Sequence, residues 1–296
     1  GMQGLGIAES AYQVSLGFAK ERLQSRSLSG PKAADKPADP IIVHPDVRRM
    51  LLRQKVMIEG GRALAYFTGL HEDVAHDHEE PAVREQADDL VQLLTPVVKS
   101  FLTDEGFNCA NEGLQVLGGS GFTEDWGIEQ LVRDSRITRI YEGTNGIQAL
   151  DLVGRKLGLG GGRAVRNYFA LIEAWLKANA EAEHVAAVGA ALKQLQQATL
   201  WIATEGMKDP EQAGAAATPY LRLFALASLA WMWARMAAVA KAKLAQGSTE
   251  TLFYGAKLKS ADFFMARILT ETDSLLAEVK AGKATLMAFS EEEFAA

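Results

Sequence analysis

Cysteine is almost missing from this chain. Cys109 stands alone, so no internal disulfide can form and no cysteine-rich metal site can be built. That scarcity favours a reducing compartment, and a cytoplasmic location is expected. Proline is sparse too, with eight in 296 residues, and no useful length of sequence alternates apolar with polar residues as a strand would. Basic blocks are also lacking: 31 Lys and Arg face 37 Asp and Glu, a net charge of −6, which gives a nucleic-acid role no electrostatic support. The N-terminal GMQGLGIAESAYQ has no charged region followed by an apolar run and does not read as a signal peptide. The longest apolar segment, Leu221 to Ala240, carries Arg222 and Arg235 and many small residues. It is expected to be a helix buried in a bundle, and no membrane span is expected.

What is present is helical spacing nearly throughout, so the fold class is expected to be all-α. A first helix is predicted over 4–24, followed by the loop RSLSGPKAADKPADPIIVHP with its proline and glycine punctuation. Pro45 opens a long helix to about Leu70, and another covers about 82–94. Thr95-Pro96 reads as an N-cap followed by a first helical proline, which predicts a fresh helix running to Leu117 and stopping at Gly118-Gly119. Shorter helices are predicted over about 127–138 and 144–157. The run Gly158-Leu159-Gly160-Gly161-Gly162 fits neither a dinucleotide nor a P-loop spacing and reads as a linker. Long helical patterns follow over about 164–205, 218–246 and 249–281. Two bundles are therefore expected: residues 1–157 and 164–296, joined by a glycine-rich linker at 158–163.

HEDVAHDHEE (71–80) gathers three histidines and five carboxylates. His71 and His76 are five apart and His76 and His78 two apart, which puts neither pair on one helix face, so no metal site is expected. The tryptophans, mostly in the second half, read as packing anchors.

The chemically informative stretch is 113–157, GLQVLGGSGFTEDWGIEQLVRDSRITRIYEGTNGIQALDLVGRKL. Gly118-Gly119-Ser120-Gly121 lets backbone N–H groups approach an anion, although a helix-ending turn explains two glycines equally well. In IYEGTN, Glu142 precedes Gly143, and Thr144 is placed to cap the next helix. From the residues alone a turn glutamate is the plainer reading. A carboxylate tuned for proton abstraction is the sharper one.

The order QVLGGSGF, LVRDSRITRIYEGTNGIQ, together with GLGIAESAYQVSLGFAKERLQ at the N-terminus, closely resembles the C-terminal helical domain of flavin-dependent acyl-CoA dehydrogenases over residues 2–157. Within that family the chain most resembles the subgroup acting on 3-methylmercaptopropionyl-CoA and related acyl-CoAs. The resemblance implies that Glu142 is the base that removes the α-proton of an acyl-CoA thioester while a hydride passes to flavin N5. It implies FAD contacts at Arg22, Gln24, Gln115, Gly119 and Thr144, and substrate contacts at Tyr141 and Gly143. It further implies electron-transfer flavoprotein as acceptor and a homo-oligomer of at least two chains, because Arg22 and Gln24 match positions reaching a neighbouring subunit's FAD. Two departures stand out. Many relatives carry an aromatic-glycine pair after the position of Arg22, where Leu23-Gln24 and a longer loop stand here, and many carry an arginine where Ala149 follows Gln148. The family's N-terminal helical and middle β domains precede the segment that matches, so these 296 residues by themselves are expected to be inactive. A non-catalytic helical assembly module and an acyl-CoA oxidase are the alternative expectations.

Overall fold

A computed structural model describes all 296 residues, and its elements are helices throughout, as expected, with one isolated β-bridge between Leu23 and Pro40. The chain divides into two compact units: residues 1–62 with 102–142, and residues 63–101 with 143–296. Two long helices contribute segments to both: α2, Pro45–Asp77, and α3, Pro81–Leu117.

The first unit begins with α1, Met2–Glu21, and includes the short α4, Gly119–Phe122, and α5, Ile128–Thr138. Its core joins Ala11, Phe18 and Ala19 of α1 with Ile41, Met50, Leu51, Ala110, Val116, Leu117 and Ile128. One close approach in this unit is made by glycine. A β-carbon at Gly106 of α3 would stand 2.6 Å from the Gly4 carbonyl oxygen, and one at Gly4 would stand 2.8 Å from the Thr103 Cα. Bare backbone on both helices is what lets them meet. Beside the contact, Arg53 holds the buried Glu105 at 3.1 Å. Cys109 is fully enclosed, and burial pushes its thiol well up, so it behaves as a small core residue.

Between α1 and α2 the chain is irregular, and one carboxylate organises it. Asp39 is wholly buried and accepts backbone N–H bonds from Ser27 (2.8 Å), Lys32 (2.9 Å) and Ala33 (2.7 Å), with Arg26 Nη1 at 3.3 Å. The Ser27 bond above all, against the opposing effect of burial, holds its carboxyl well below the ordinary carboxylate range. Its own backbone pairs with Gln24 N–H (3.0 Å) and with the Ser25 carbonyl (2.9 Å), which extends the Leu23–Pro40 bridge.

In the second unit the elements after Glu142 are α6, Asn145–Asp151; α7, Arg163–Ala178; α8, Val185–Lys208; α9, Pro210–Ala245; α10, Thr251–Phe263; and α11, Glu271–Ala281. Single π-helical turns follow α6 and α10. Helix α9 is the hub, packed against α6, α8, α10 and α11. It is the one helix long and apolar enough to cross a membrane, yet 78% of that apolar window is buried, so it serves as a core helix, as its sequence led us to expect. Tyr168 stacks on Phe224 at 5.3 Å, and its hydroxyl donates to Ser228 Oγ at 2.7 Å. Of the two cations inside the apolar run, Arg222 is neutralised: it forms a two-pronged pair with Glu271 while its guanidinium lies over Phe101 at 5.7 Å. Residues 157–162 turn repeatedly, with Gly160, Gly161 and Gly162 all left-handed, and Arg163 then grips Asp89 (2.7 Å) and Glu85 (2.7 Å).

Several helix boundaries differ from the expected ones: α2 continues past Leu70 to Asp77, and the helix expected over 249–281 is broken between α10 and α11. No new helix starts at Thr95-Pro96, because α3 runs straight through Pro96. Thr95 is exposed and donates its hydroxyl to the Val91 carbonyl (2.7 Å) instead of capping. A helix-interior proline costs about 3 kcal/mol. Full burial of Leu93, Leu94 and Val97 around it stabilises by about 1.5–3 kcal/mol each, which outweighs that cost. The predicted helix 164–205 is instead two, α7 and α8. Asn179 closes α7 through backbone and side-chain bonds to the Trp175 carbonyl (3.0 and 2.8 Å), and His184 is left-handed just before α8. Helix α9 begins at Pro210 rather than 218, because Asp209 caps it by accepting the Glu211 N–H (3.0 Å) and Lys283 holds both carboxylates at 2.5 Å.

Two measurements follow. Gly106→Ala overpacks the crossing with Gly4 and lowers the unfolding free energy by about 1–3 kcal/mol in urea titration; an unchanged midpoint would show that the helices separate freely. Asp39→Asn speeds hydrogen exchange at the amides of Ser27, Lys32 and Ala33 by about tenfold or more. Because the folded Asp39 titrates below its unfolded value of about 4, protection by the wild-type residue is complete above that pH. It is lost as pH falls further, toward the depressed folded value, and loss beginning near neutrality would contradict the assignment.

Candidate functional site

Four of the residues expected to hold a cofactor come together. Arg22 and Gln24, just past the end of α1, and Gln115 and Gly119, at the end of α3 and the start of α4, line one cavity of about 600 Å³ in the first unit. Phe18, Ile41, Val47 and Val116 form its apolar floor, and Ser25, Arg26, His44 and Ser120 add polar atoms. The lining contains two arginines and no carboxylate. Arg26 is already committed to Asp39 and to the carbonyls of Ala33 (2.9 Å) and Lys36 (2.5 Å). The Arg22 guanidinium and the amide side chains of Gln24 and Gln115 make no hydrogen bond within the protein. At Gly118 and Gly119 an added β-carbon would meet nothing within 4 Å, so backbone there faces open space. His44 Nε2 bonds the Gln24 carbonyl at 2.8 Å and fixes that residue's backbone.

Local sequence explains this placement. Helix α1 stops at Arg22, which turns extended (φ −65°, ψ 120°) while its N–H still reaches Phe18 (2.8 Å) and its carbonyl accepts from Ile41 (2.9 Å). Helix α3 ends where Gly118 adopts a left-handed φ of 59°.

The other expected residues sit in IYEGTN and do not line that cavity. In the first unit, Ile140 and Tyr141 wind off α5 through bonds to the Ile137 carbonyl (2.9 and 3.1 Å). The Tyr141 hydroxyl donates to Gln3, and Arg139 pairs with Asp104 at 2.5 Å while lying over Phe107. Glu142 is exposed and left-handed, with φ of 56°. Only Ser25 and His184 share that conformation among non-glycine residues. In the second unit, Gly143 continues left-handed (φ 78°), and a β-carbon there would meet Gln148 Nε2 at 2.9 Å. Thr144 caps α6 as expected, accepting the Ile147 N–H at 3.3 Å.

Two residues that hold these segments were not singled out in the sequence. Lys99 Nζ donates to the Gly143 carbonyl (2.7 Å) and to Asn145 Oδ1 (2.8 Å), and Asn145 Nδ2 donates to the Ser100 carbonyl (3.1 Å). Asp39 orders the loop that presents Arg22 and Gln24. The histidine-rich 71–80 segment disperses its rings: His71 bonds the Phe67 carbonyl (2.8 Å), His76 faces Glu72 (3.0 Å), and His78 accepts the Glu80 N–H (3.1 Å).

Residues 1–157 match the family model "Acyl-CoA dehydrogenase, C-terminal domain", and residues 168–290 match "Acetyl-CoA dehydrogenase C-terminal like". Over 277 residues the chain is 42% identical to 3-methylmercaptopropionyl-CoA dehydrogenase of Ruegeria pomeroyi, covering 92% of this chain and 46% of that protein. It is 31% identical over 295 residues to a butyryl-CoA dehydrogenase of Syntrophomonas wolfei, covering 98% and 48%. The chain thus spans about half the length of these curated relatives. Among solved structures its fold is similar to Caenorhabditis elegans ACDH-11 in complex with C11-CoA, with a TM-score of 0.72 at 18% identity over 96% of this chain and 45% of that one. It is also similar to the Bacillus anthracis acyl-CoA dehydrogenase complexed with FAD, with a TM-score of 0.68 at 19% identity over 93% and 46%. With more than half of its length matched by the family model, the chain belongs to the acyl-CoA dehydrogenase family, to whose C-terminal helical region it corresponds.

Proposed function

We propose that this chain is the C-terminal part of an FAD-dependent enzyme that introduces an α,β double bond into an acyl-CoA thioester. The observation that carries the reading is the gathering of Arg22, Gln24, Gln115 and Gly119 around one cavity that contains no carboxylate. A dinucleotide cofactor is anionic and rich in acceptors, and this lining offers a cation, unbonded amides and bare glycine backbone. Flavin, when bound, supplies the acceptor for the hydride that leaves the β-carbon.

Glu142 is assigned the proton. As a carboxylate it takes the α-hydrogen as H⁺ onto an Oε atom. The electrons of that C–H bond become the new α,β bond as the β-hydrogen departs with its own pair. An α-proton is weakly acidic, so the base works best in a site from which water is excluded. Glu142 is exposed in this chain, and the remaining half of a relative-length protein, together with the substrate itself, is assigned that exclusion. Left-handed backbone at Glu142 and Gly143 sets the direction of the carboxylate, with Tyr141 and Gly143 beside the substrate. The Thr144 hydroxyl, which accepts from Ile147, retains its hydrogen to donate toward the cofactor. Residues 1–157 carry these groups, and residues 164–296 form the additional bundle beyond the glycine-rich segment 158–163. Electron-transfer flavoprotein is the assigned acceptor and a homo-oligomer the assigned assembly.

In protein expressed from the full-length reading frame, Glu142→Gln leaves FAD bound but slows bleaching of the flavin's visible band by acyl-CoA by about 10²–10⁴-fold or more. Bleaching at the wild-type rate removes Glu142 from the role of base. Arg22→Ala weakens FAD binding by about tenfold or more, as loss of a charge-assisted bond should, without changing the melting temperature of the apoprotein. An unchanged FAD dissociation constant would detach this cavity from the cofactor. Stoichiometric peroxide release during turnover would identify an oxidase in place of the dehydrogenase.

A further inference from the structure

The second unit contains a groove of about 480 Å³ between the Ala63–Leu70 part of α2, the Met232–Ala240 part of α9 and the start of α10. It shares no residue with the cavity of Arg22. Its volume is that of a small-molecule site. Four large apolar side chains that line it remain exposed: Tyr66 (63%), Leu70 (59%), Val239 (57%) and Phe253 (53%). A contiguous apolar surface of this kind marks a place of interaction rather than ordinary scatter. Met232 and Met236 add walls that adapt to shape.

The polar groups in the groove are one-sided. Arg235 lies over Trp231 (5.0 Å) and Phe67 (5.6 Å) and has no carboxylate partner or hydrogen bond within the protein. The hydroxyls of Tyr66 and Tyr254 also make no bond within the protein, and Lys257 Nζ sits 5.0 Å from the Phe253 ring centroid. No carboxylate and no carboxamide lines the groove. An arginine without a carboxylate and two hydroxyl donors on apolar walls call for a ligand that brings acceptors and negative charge on a hydrocarbon body.

We propose that this groove binds a single-chain carboxylate amphiphile, its carboxylate on the Arg235 guanidinium and its chain along Leu70, Val239 and Phe253. The aromatic faces under Arg235 hold the guanidinium in place without neutralising it, which leaves its N–H donors for the ligand.

Titration calorimetry of the 296-residue chain with decanoate, below its micelle concentration, tests the assignment. A saturable one-site isotherm is expected, and decanol, which has the chain without the charge, binds about tenfold or more weakly. Arg235→Gln weakens decanoate by a similar factor. Val239→Asp places a charge against the hydrocarbon chain at an exposed position that tolerates it, and abolishes binding; circular dichroism verifies that both variants keep their helix content. Equal affinity for decanol and decanoate overturns the proposal, as does wild-type affinity in either folded variant. Association with anionic phospholipid vesicles in the absence of any decanoate isotherm also overturns it, because the groove would then be serving a lipid surface.

Discussion

A backbone that leaves helical structure must find partners for its N–H groups, and between α1 and α2 three of them converge on the carboxylate of Asp39. The segment has a single bridge, Leu23 to Pro40, and otherwise no ladder. Asp39 is itself buried and collects three amides and one guanidinium, without which its carboxylate would be unpaired at a high cost. The consequences reach the cavity. Arg26 is drawn inward to Asp39, so its charge is spent inside the loop, and Arg22 is left as the cation that the cavity can offer. Gln24 is pinned through its backbone to Asp39 and His44, which frees its side chain. Where the sequence departs after Arg22, a longer loop with its own internal anchor stands.

The left-handed residues sharpen the same picture. A non-glycine residue at positive φ costs roughly 1–2 kcal/mol, and glycine would occupy such a position with less strain. His184 has a local account, since it precedes α8 and its ring reaches Asp262 at 3.2 Å. Ser25 lines the cavity, and its carbonyl accepts from Asp39. Glu142 is exposed, so core packing does not account for its side chain, and it is followed at once by a glycine that shares its handedness. The positive φ at Glu142 supports the role proposed for its carboxylate.

Much of this was legible because the signals are local. Pro45 opening α2, Gly118 ending α3 and Thr144 capping α6 each act within a few residues, and the order of LGGSG, RD and YEGTN pointed to the family. The failures have two kinds. At Thr95-Pro96 a correct local signal was overridden by the burial of Leu93, Leu94 and Val97, which nothing nearby in sequence reveals. At Asp209-Pro210 a genuine cap and first-turn proline were present but masked by Pro219 nine residues on, which α9 absorbs in its interior. Lys99 and Asp39 could not have been found by pattern. Lys99 meets Gly143 and Asn145 across 44 and 46 positions, and Asp39 looks like one more acid in a polar loop until its burial is known.

Charge pairing ties the two cavities to one argument. In this acidic chain the arginines near the cores are matched: Arg53 with Glu105, Arg139 with Asp104, Arg163 with Asp89, Arg222 with Glu271. A surface arginine without a carboxylate needs no explanation, because water serves it at little cost. Arg22 and Arg235 are different, because each lines a concave site from which carboxylates are missing altogether. With 37 acidic residues available, a lining free of them leaves the local potential positive, and a cavity with low-dielectric walls concentrates that field on whatever enters. The first cavity adds amides and bare glycine backbone and so suits an extended, acceptor-rich anion, whereas the second adds only hydrocarbon and hydroxyls and so suits an anion at the end of a chain.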